Sequence, residues 1–131
     1  MILLDTHAWI WFVSNPELLS EKAKKSIGKA LKNKSLFVSS ISVWEVALLV
    51  LKGRLNLKMD VADWIARSEN LSFIQFVPVD NSIALKSVNL TQPLHNDPAD
   101  RIIIATAMTM GFFLVTKDEK ILNYQYVKCI W

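Results

Sequence analysis

The sequence predicts an α/β fold in three layers, with a parallel central sheet covered by helices on both faces. Short, continuously apolar runs of strand length alternate along the chain with segments of helical period, and a cap or turn residue marks each change. Hydrophobic residues make up 52% of the 131 positions, which suits a sheet buried on both sides better than one facing water. Strands joined by helical crossovers run parallel, because each crossover is right-handed and packs back on the sheet.

Ile2-Leu3-Leu4 is the first buried strand, ending in Asp5, and Thr6 is placed to cap a short helix through Phe12. Asn15-Pro16 breaks the chain. From Glu17 to about Lys32, Leu19, Ala23, Ile27, Ala30 and Leu31 share one helical face, opposite a stripe of Lys22, Lys25, Lys29 and Lys32. Leu36-Phe37-Val38 is the second strand. Ser42-Val43-Trp44-Glu45 reads as a capping box opening a helix from Val43 to about Leu51, which Gly53 ends. Asp60 caps a helix through Ala66, and Phe73 to Val79 is a strand that Pro78 places near an edge. Asn81 to Leu90 is helical by pattern. Asp97 as N-cap, Pro98 at the first helical position and Gly111 past the end bound a helix through Met110. Phe112 to Val115 is a further buried strand, and Val127 to Trp131 a last short one.

The length suits one domain over residues 1–131, and no repeat, low-complexity tract or linker divides it. The longest apolar stretch, Val46 to Leu51, is far short of the roughly 20 residues that span a bilayer. The first residues lack a basic region and carry an acid where a signal peptide has its apolar core, so export is not expected. Cys129 is the single cysteine, which excludes an internal disulfide and a paired-cysteine zinc site and fits a reducing, cytoplasmic setting. The net charge of +3 is compatible with an anionic partner without naming one.

Four acids fall where an α/β sheet gathers its ligands, beyond the carboxyl ends of the strands. Asp5 follows the first strand, Asp118 lies two residues past Val115, and Glu45 and Asp100 occupy first helical turns. Each has a structural explanation alone: a capping box for Glu45, a dipole-stabilised N3 position for Asp100, a helix start for Asp118 and a strand-end ion pair for Asp5. Four such coincidences on one rim are harder to accept. Carboxylates crowded in a cleft repel unless they share protons or bind a cation. Hard oxygen donors without paired cysteine or histidine suit Mg²⁺ or Mn²⁺ rather than zinc, and the chemistry of such ions is phosphoryl transfer.

The segments Asp5-Thr6-His7-Ala8, Ser42-x-Trp44-Glu45, His95-Asn96-Asp97-Pro98-Ala99-Asp100-Arg101 and Leu114-Val115-Thr116-Lys117-Asp118 together resemble the PIN-domain family. The likeness is nearest to VapC-like toxins of toxin–antitoxin pairs and covers essentially the whole chain in the family's order. It implies a five-stranded parallel sheet, a Mg²⁺- or Mn²⁺-dependent endoribonuclease and an antitoxin protein that occludes the site. Carried over by position, Asp5, Glu45, Asp100 and Asp118 form the acidic quartet. Asp5 and Asp100 would be direct metal ligands, Asp118 a ligand directly or through water, and Glu45 a partner of a second ion or of the attacking water. Thr116 would orient a ligand or bound water through its hydroxyl. Structured RNA such as transfer RNA is the substrate the likeness suggests.

The remaining polar residues are weighed singly. Asp97 is read as a cap. His7 and His95 stand evenly between phosphate contact and structural hydrogen bonding. Arg101 is read as pairing with an acid, ahead of a phosphate contact. The lysine stripe is read as a solvated face ahead of an RNA track. Trp9, Trp11, Trp44 and Trp64 suggest core or interface more than base stacking, and the apolar stretches Ala8 to Val13 and Trp44 to Leu51 favour a homodimer, an antitoxin groove, or both. Two rival readings are a catalytically inactive PIN-fold binding domain, and a Mg²⁺-dependent aspartyl-phosphate phosphotransfer domain using Asp5 as acceptor. Retention of all four acids weighs against the first. Against the second, no second aspartate stands two residues after Asp5.

Overall fold

The computed structural model describes all 131 residues. Five parallel strands, β1 (Ile2–Leu4), β2 (Leu36–Ser39), β3 (Ile74–Val77), β4 (Phe113–Val115) and β5 (Cys129–Ile130), stand in the order β3-β2-β1-β4-β5. The chain builds outward from β1 to β3, then returns to lay β4 on the other side of β1. The order therefore reverses between β1 and β4, the point where open α/β sheets form their ligand crevice. As Pro78 suggests, β3 is an edge strand.

Successive residues of β1 feed opposite faces. Ile2 and Leu4 pack with Trp9, Ala23, Ile27, Leu36 and Val38, while Leu3 packs with Ile83, Ile103, Ile104 and Leu114. The first face is covered by α1 (Thr6–Ser14), α2 (Glu21–Lys32) and α4 (Val61–Glu69); the second by α5 (Asn81–Val88), α6 (Pro98–Met110) and α7 (Glu119–Leu122). Helix α3 (Ser40–Leu51) contributes Val46 to the first cluster and Ile41 to the second. Double coverage is why the strands read as uninterrupted apolar runs.

Several boundaries differ from the sequence reading. Asp5, not Thr6, caps α1, its carboxylate accepting the Ala8 amide at 2.8 Å, and the helix runs on to Ser14. The basic helix is not continuous from Glu17: Pro16–Leu18 is a 3₁₀ turn, Leu19 is extended and buried, and α2 starts after Ser20, whose hydroxyl accepts the Ala23 amide at 3.0 Å. The capping box at Ser42 does not form. Ser39 caps α3 instead, and Ser42 is buried inside the helix. The helix at Pro98 matches the expected limits, with Gly111 in the left-handed region at φ 70°.

Two polar readings also change. The Arg101 guanidinium meets no acid; it donates to the carbonyls of Ser87 (2.9 Å), Val88 (3.3 Å) and His95 (3.3 Å), closing the carboxyl end of α5 and pinning the loop before α6. Trp9 and Trp64 are core residues, with ring centroids 4.8 Å apart, so an interface role fails for both. Trp44 is 55% exposed. No helix is long and apolar enough to cross a membrane.

Candidate metal centre

Three acids reach the carboxyl rim because helix starts hold them there. Asp5 ends β1 and caps α1; Asp97 caps α6, its Oδ1 accepting the Asp100 amide at 2.9 Å; Asp118 follows β4 and caps α7, its Oδ1 accepting the Lys120 amide at 2.9 Å. Each cap engages one carboxylate oxygen, so the structural role leaves the second free for another partner. Asp100 sits in the first turn of α6, and its Oδ2 lies 2.7 Å from His95 Nε2. The four acids Asp5, Glu45, Asp100 and Asp118 line one cleft of about 570 Å³ together with Asp97, Thr6, His7, Trp11 and Lys117.

Glu45 owes its place to no cap. It lies in the second turn of α3, and its carboxylate accepts from the Thr6 hydroxyl, which is itself 2.8 Å from the Ser42 hydroxyl. An ionised carboxylate only accepts, so the Thr6 proton goes to Glu45 and Ser42 supplies the other. Thr116 is fully buried; its Oγ1 accepts the Asp118 amide at 3.1 Å, and its presence beside Asp5 lowers that carboxyl's pKa against the effect of burial.

The electrostatics show an unbalanced site. Burial pushes the Asp5 carboxyl up to about 6, against the opposing hydrogen bonds of Thr116 and Ala8. Burial, then the charges of Asp100, Asp97 and Asp5, pushes Glu45 up to about 7 despite the Thr6 bond. Asp100 is also raised by burial and by neighbouring Asp97 and Asp118, with His95 pulling the other way. Charge of one sign is thus concentrated where water is partly excluded, and Lys117 is the only lysine or arginine lining the cleft.

This donor set fits a hard divalent cation. Single carboxylate oxygens of Glu45, Asp97 and Asp100 lie within 4.8 Å of one another, as do donor atoms of His95, Asp100 and Asp118. Asp100 belongs to both groups, so it is the natural bridge of the site. The oxygens suit Mg²⁺ or Mn²⁺, and His95 Nδ1 is buried without a partner. Sequence reasoning missed two members. From sequence Asp97 reads only as a cap, although its three-residue spacing from Asp100 on one helical turn puts both on the same side. Thr6 reads as a cap from sequence, and nothing local signals its reach to α3. A second cavity of similar size, between α1 and α4, is lined by Phe12, Leu57, Trp64 and Leu71 and holds no carboxylate, so it offers none of this chemistry.

The same fold occurs in known proteins. The toxin–antitoxin complex from Klebsiella pneumoniae contains a chain of the same fold, at TM-score 0.64 and 22% identity over 97% of this chain and 95% of that one. VapBC2 from Rickettsia felis, crystallised with a promoter DNA fragment, superposes at TM-score 0.72 with 17% identity, covering 98% and 97% of the two chains. In sequence, the chain is 34% identical to Ribonuclease VapC22 of Mycobacterium tuberculosis over 125 residues, 95% of this chain and 92% of the relative. The model of the PIN domain matches residues 2–125, and with that coverage, on this fold, the chain belongs to the PIN-domain family.

Proposed function

We propose that the protein is a metal-dependent endoribonuclease and the toxin of a VapBC-type pair, acting as one catalytic domain. The observation that carries the reading is the convergence of Asp5, Glu45, Asp97, Asp100 and Asp118 on one cleft at the β1/β4 switch point, in a chain similar to a named ribonuclease. Asp5, Asp100 and Asp118 would hold Mg²⁺ or Mn²⁺, with Glu45 and Asp97 completing the donor set. Such an ion, when bound, polarises a phosphate oxygen and lowers the pKa of a water at neutral pH. The chain's own residues do the rest. Glu45, pushed up to about 7, is poised to take a proton from a water near neutrality, and the Thr6 hydroxyl orients it. Thr116, whose influence lowers the Asp5 pKa, would help hold that carboxyl, and His95 fixes Asp100.

An antitoxin protein is the proposed partner, since several structural neighbours are toxin–antitoxin complexes. A homodimer is proposed on the exposed apolar side of α3, where Trp44 and Leu51 are 55% and 82% exposed. Purified protein incubated with a mixed RNA pool in Mg²⁺, Mn²⁺ or EDTA, beside Asp5→Asn and Asp100→Asn, tests the reading. Cleavage that requires the ion and vanishes in both variants is expected. Metal-independent cleavage, or variants as active as the parent, would sink it. A silent parent that still binds the ion would turn the case toward an inactive binding domain of the same fold.

A further inference from the structure

We propose that the outer face of α2 is a second RNA-binding surface, which holds the phosphate backbone of a long substrate away from the acidic cleft. This rests on the ribonuclease reading and extends it to how a polyanion is retained by a site that is itself negative. Lys22, Lys24, Lys25, Lys29 and Lys32 are all exposed, and Lys34 follows just beyond the helix. Lys24 pairs with Glu21 at 3.3 Å, and no other lysine of this face has a carboxylate within ion-pair reach. Lys22, Lys25, Lys29 and Lys32 stand three or four positions apart, so they repel along one line of the helix and weaken it.

A merely solvated face does not explain Gly28. It lies mid-helix at ordinary helical φ, and a Cβ built on it would meet nothing within 4 Å. Neither packing nor backbone conformation requires glycine there, and glycine weakens a helix interior relative to alanine. What its missing side chain leaves is a shallow groove, of about 620 Å³, walled by Lys24, Lys25, Lys29 and Lys32. Bare backbone between lysines lets a phosphate backbone approach closely while the ammonium groups close on it. The carboxyl end of α2 lies at the amino edge of the sheet, where Ser35 accepts the Ile2 amide at 3.0 Å, so the track extends to the edge opposite the acids. A short RNA held in the cleft would not reach that end; a folded RNA would.

Two variants separate charge from groove: Lys25→Gln/Lys29→Gln/Lys32→Gln, and Gly28→Gln, with Lys52→Gln/Lys58→Gln as a charge control. Binding of bulk transfer RNA is followed by anisotropy across a salt series in EDTA, and cleavage of the same RNA and of a dinucleotide is followed in Mn²⁺. The triple variant is expected to bind on the order of tenfold or more weakly at 0.1 M salt, with the slope of log K against log salt reduced by about 2 to 3. Gly28→Gln should weaken binding while melting no lower than the parent. Dinucleotide cleavage should be unchanged in both. Parent-like salt slopes in the triple variant, or equal losses in the control, would overturn the surface. Absence of cleavage by the parent would instead count against the ribonuclease reading, while the binding arm would still decide the lysine face.

Discussion

The Thr6 hydroxyl donates to the Glu45 carboxylate across 39 positions of sequence, tying the start of α1 to α3 at the wall of the acidic cleft. The bond holds a half-buried acid in one orientation and is a main influence opposing its raised pKa. Thr6→Val keeps the shape and removes the donor. Its loss should raise the Glu45 pKa further, move the alkaline rise of the activity profile to higher pH and lower neutral-pH cleavage about 10- to 100-fold. A pH–rate profile of the variant checks this. An unshifted profile would show that Glu45 is not oriented through Thr6.

Asp100 stands in both candidate donor groups and is held at raised pKa by burial and neighbouring acids. Asp100→Asn should therefore abolish cleavage while making the metal-free protein slightly more stable, because a repelling charge is removed from a crowded cleft. Melting in EDTA should rise by a few degrees, about 1 kcal/mol, and the stabilisation that Mn²⁺ gives the parent should disappear. A lower melting point in EDTA would mean that the His95–Asp100 contact outweighs the repulsion.

The pH dependence has a defined sign. Asp5 and Glu45 titrate near 6 and 7 when folded, above their ordinary values, so between about pH 4 and 7 the folded chain binds more protons than the unfolded one. Their contribution is greatest below the unfolded values and is lost as pH rises through the folded ones. In EDTA, stability should fall from pH 5 to pH 8 by an amount on the order of 2 kcal/mol. A divalent ion should reverse the trend above pH 7, where the carboxylates are free to receive it, with protons released on binding. Thermal melts across that range, with and without Mn²⁺, measure both effects.

Arg101 is buried, and its planar fork serves three carbonyls that no acid approaches. Lysine carries its three donors on one nitrogen and cannot span the Ser87, Val88 and His95 carbonyls, which Arg101 reaches from three separate nitrogens. Arg101→Lys should destabilise the fold by about 2 kcal/mol in urea titration and reduce cleavage through the displaced His95 loop. Full activity with the expected destabilisation would separate that loop from the site.

How much was legible before folding varies residue by residue. The strands at Ile2–Leu4 and Phe113–Val115, and the helix from Pro98 to Gly111, follow from local chemistry: short apolar runs, buried but for Phe113, a proline that suits a first helical turn, a glycine that accepts a left-handed turn. The acids Asp5, Asp100 and Asp118 were visible for the same reason, since strand ends and helix starts are marked in sequence and the α/β rule gives them one rim. Tertiary structure decided what depends on a distant partner. Ser42 and Glu45 have the pattern of a capping box, yet the hydroxyl of Thr6 on another helix takes both, and Ser39 caps in their place. Arg101 beside Asp100 reads as an ion pair, but the open carbonyls at the end of α5 claim it. Asp97 became a member of the cluster only when α3 brought Glu45 opposite it. A hydrogen bond or a shared charge is satisfied by whichever group packing delivers within about 3 Å, and that proximity is a property of the fold rather than of spacing along the chain.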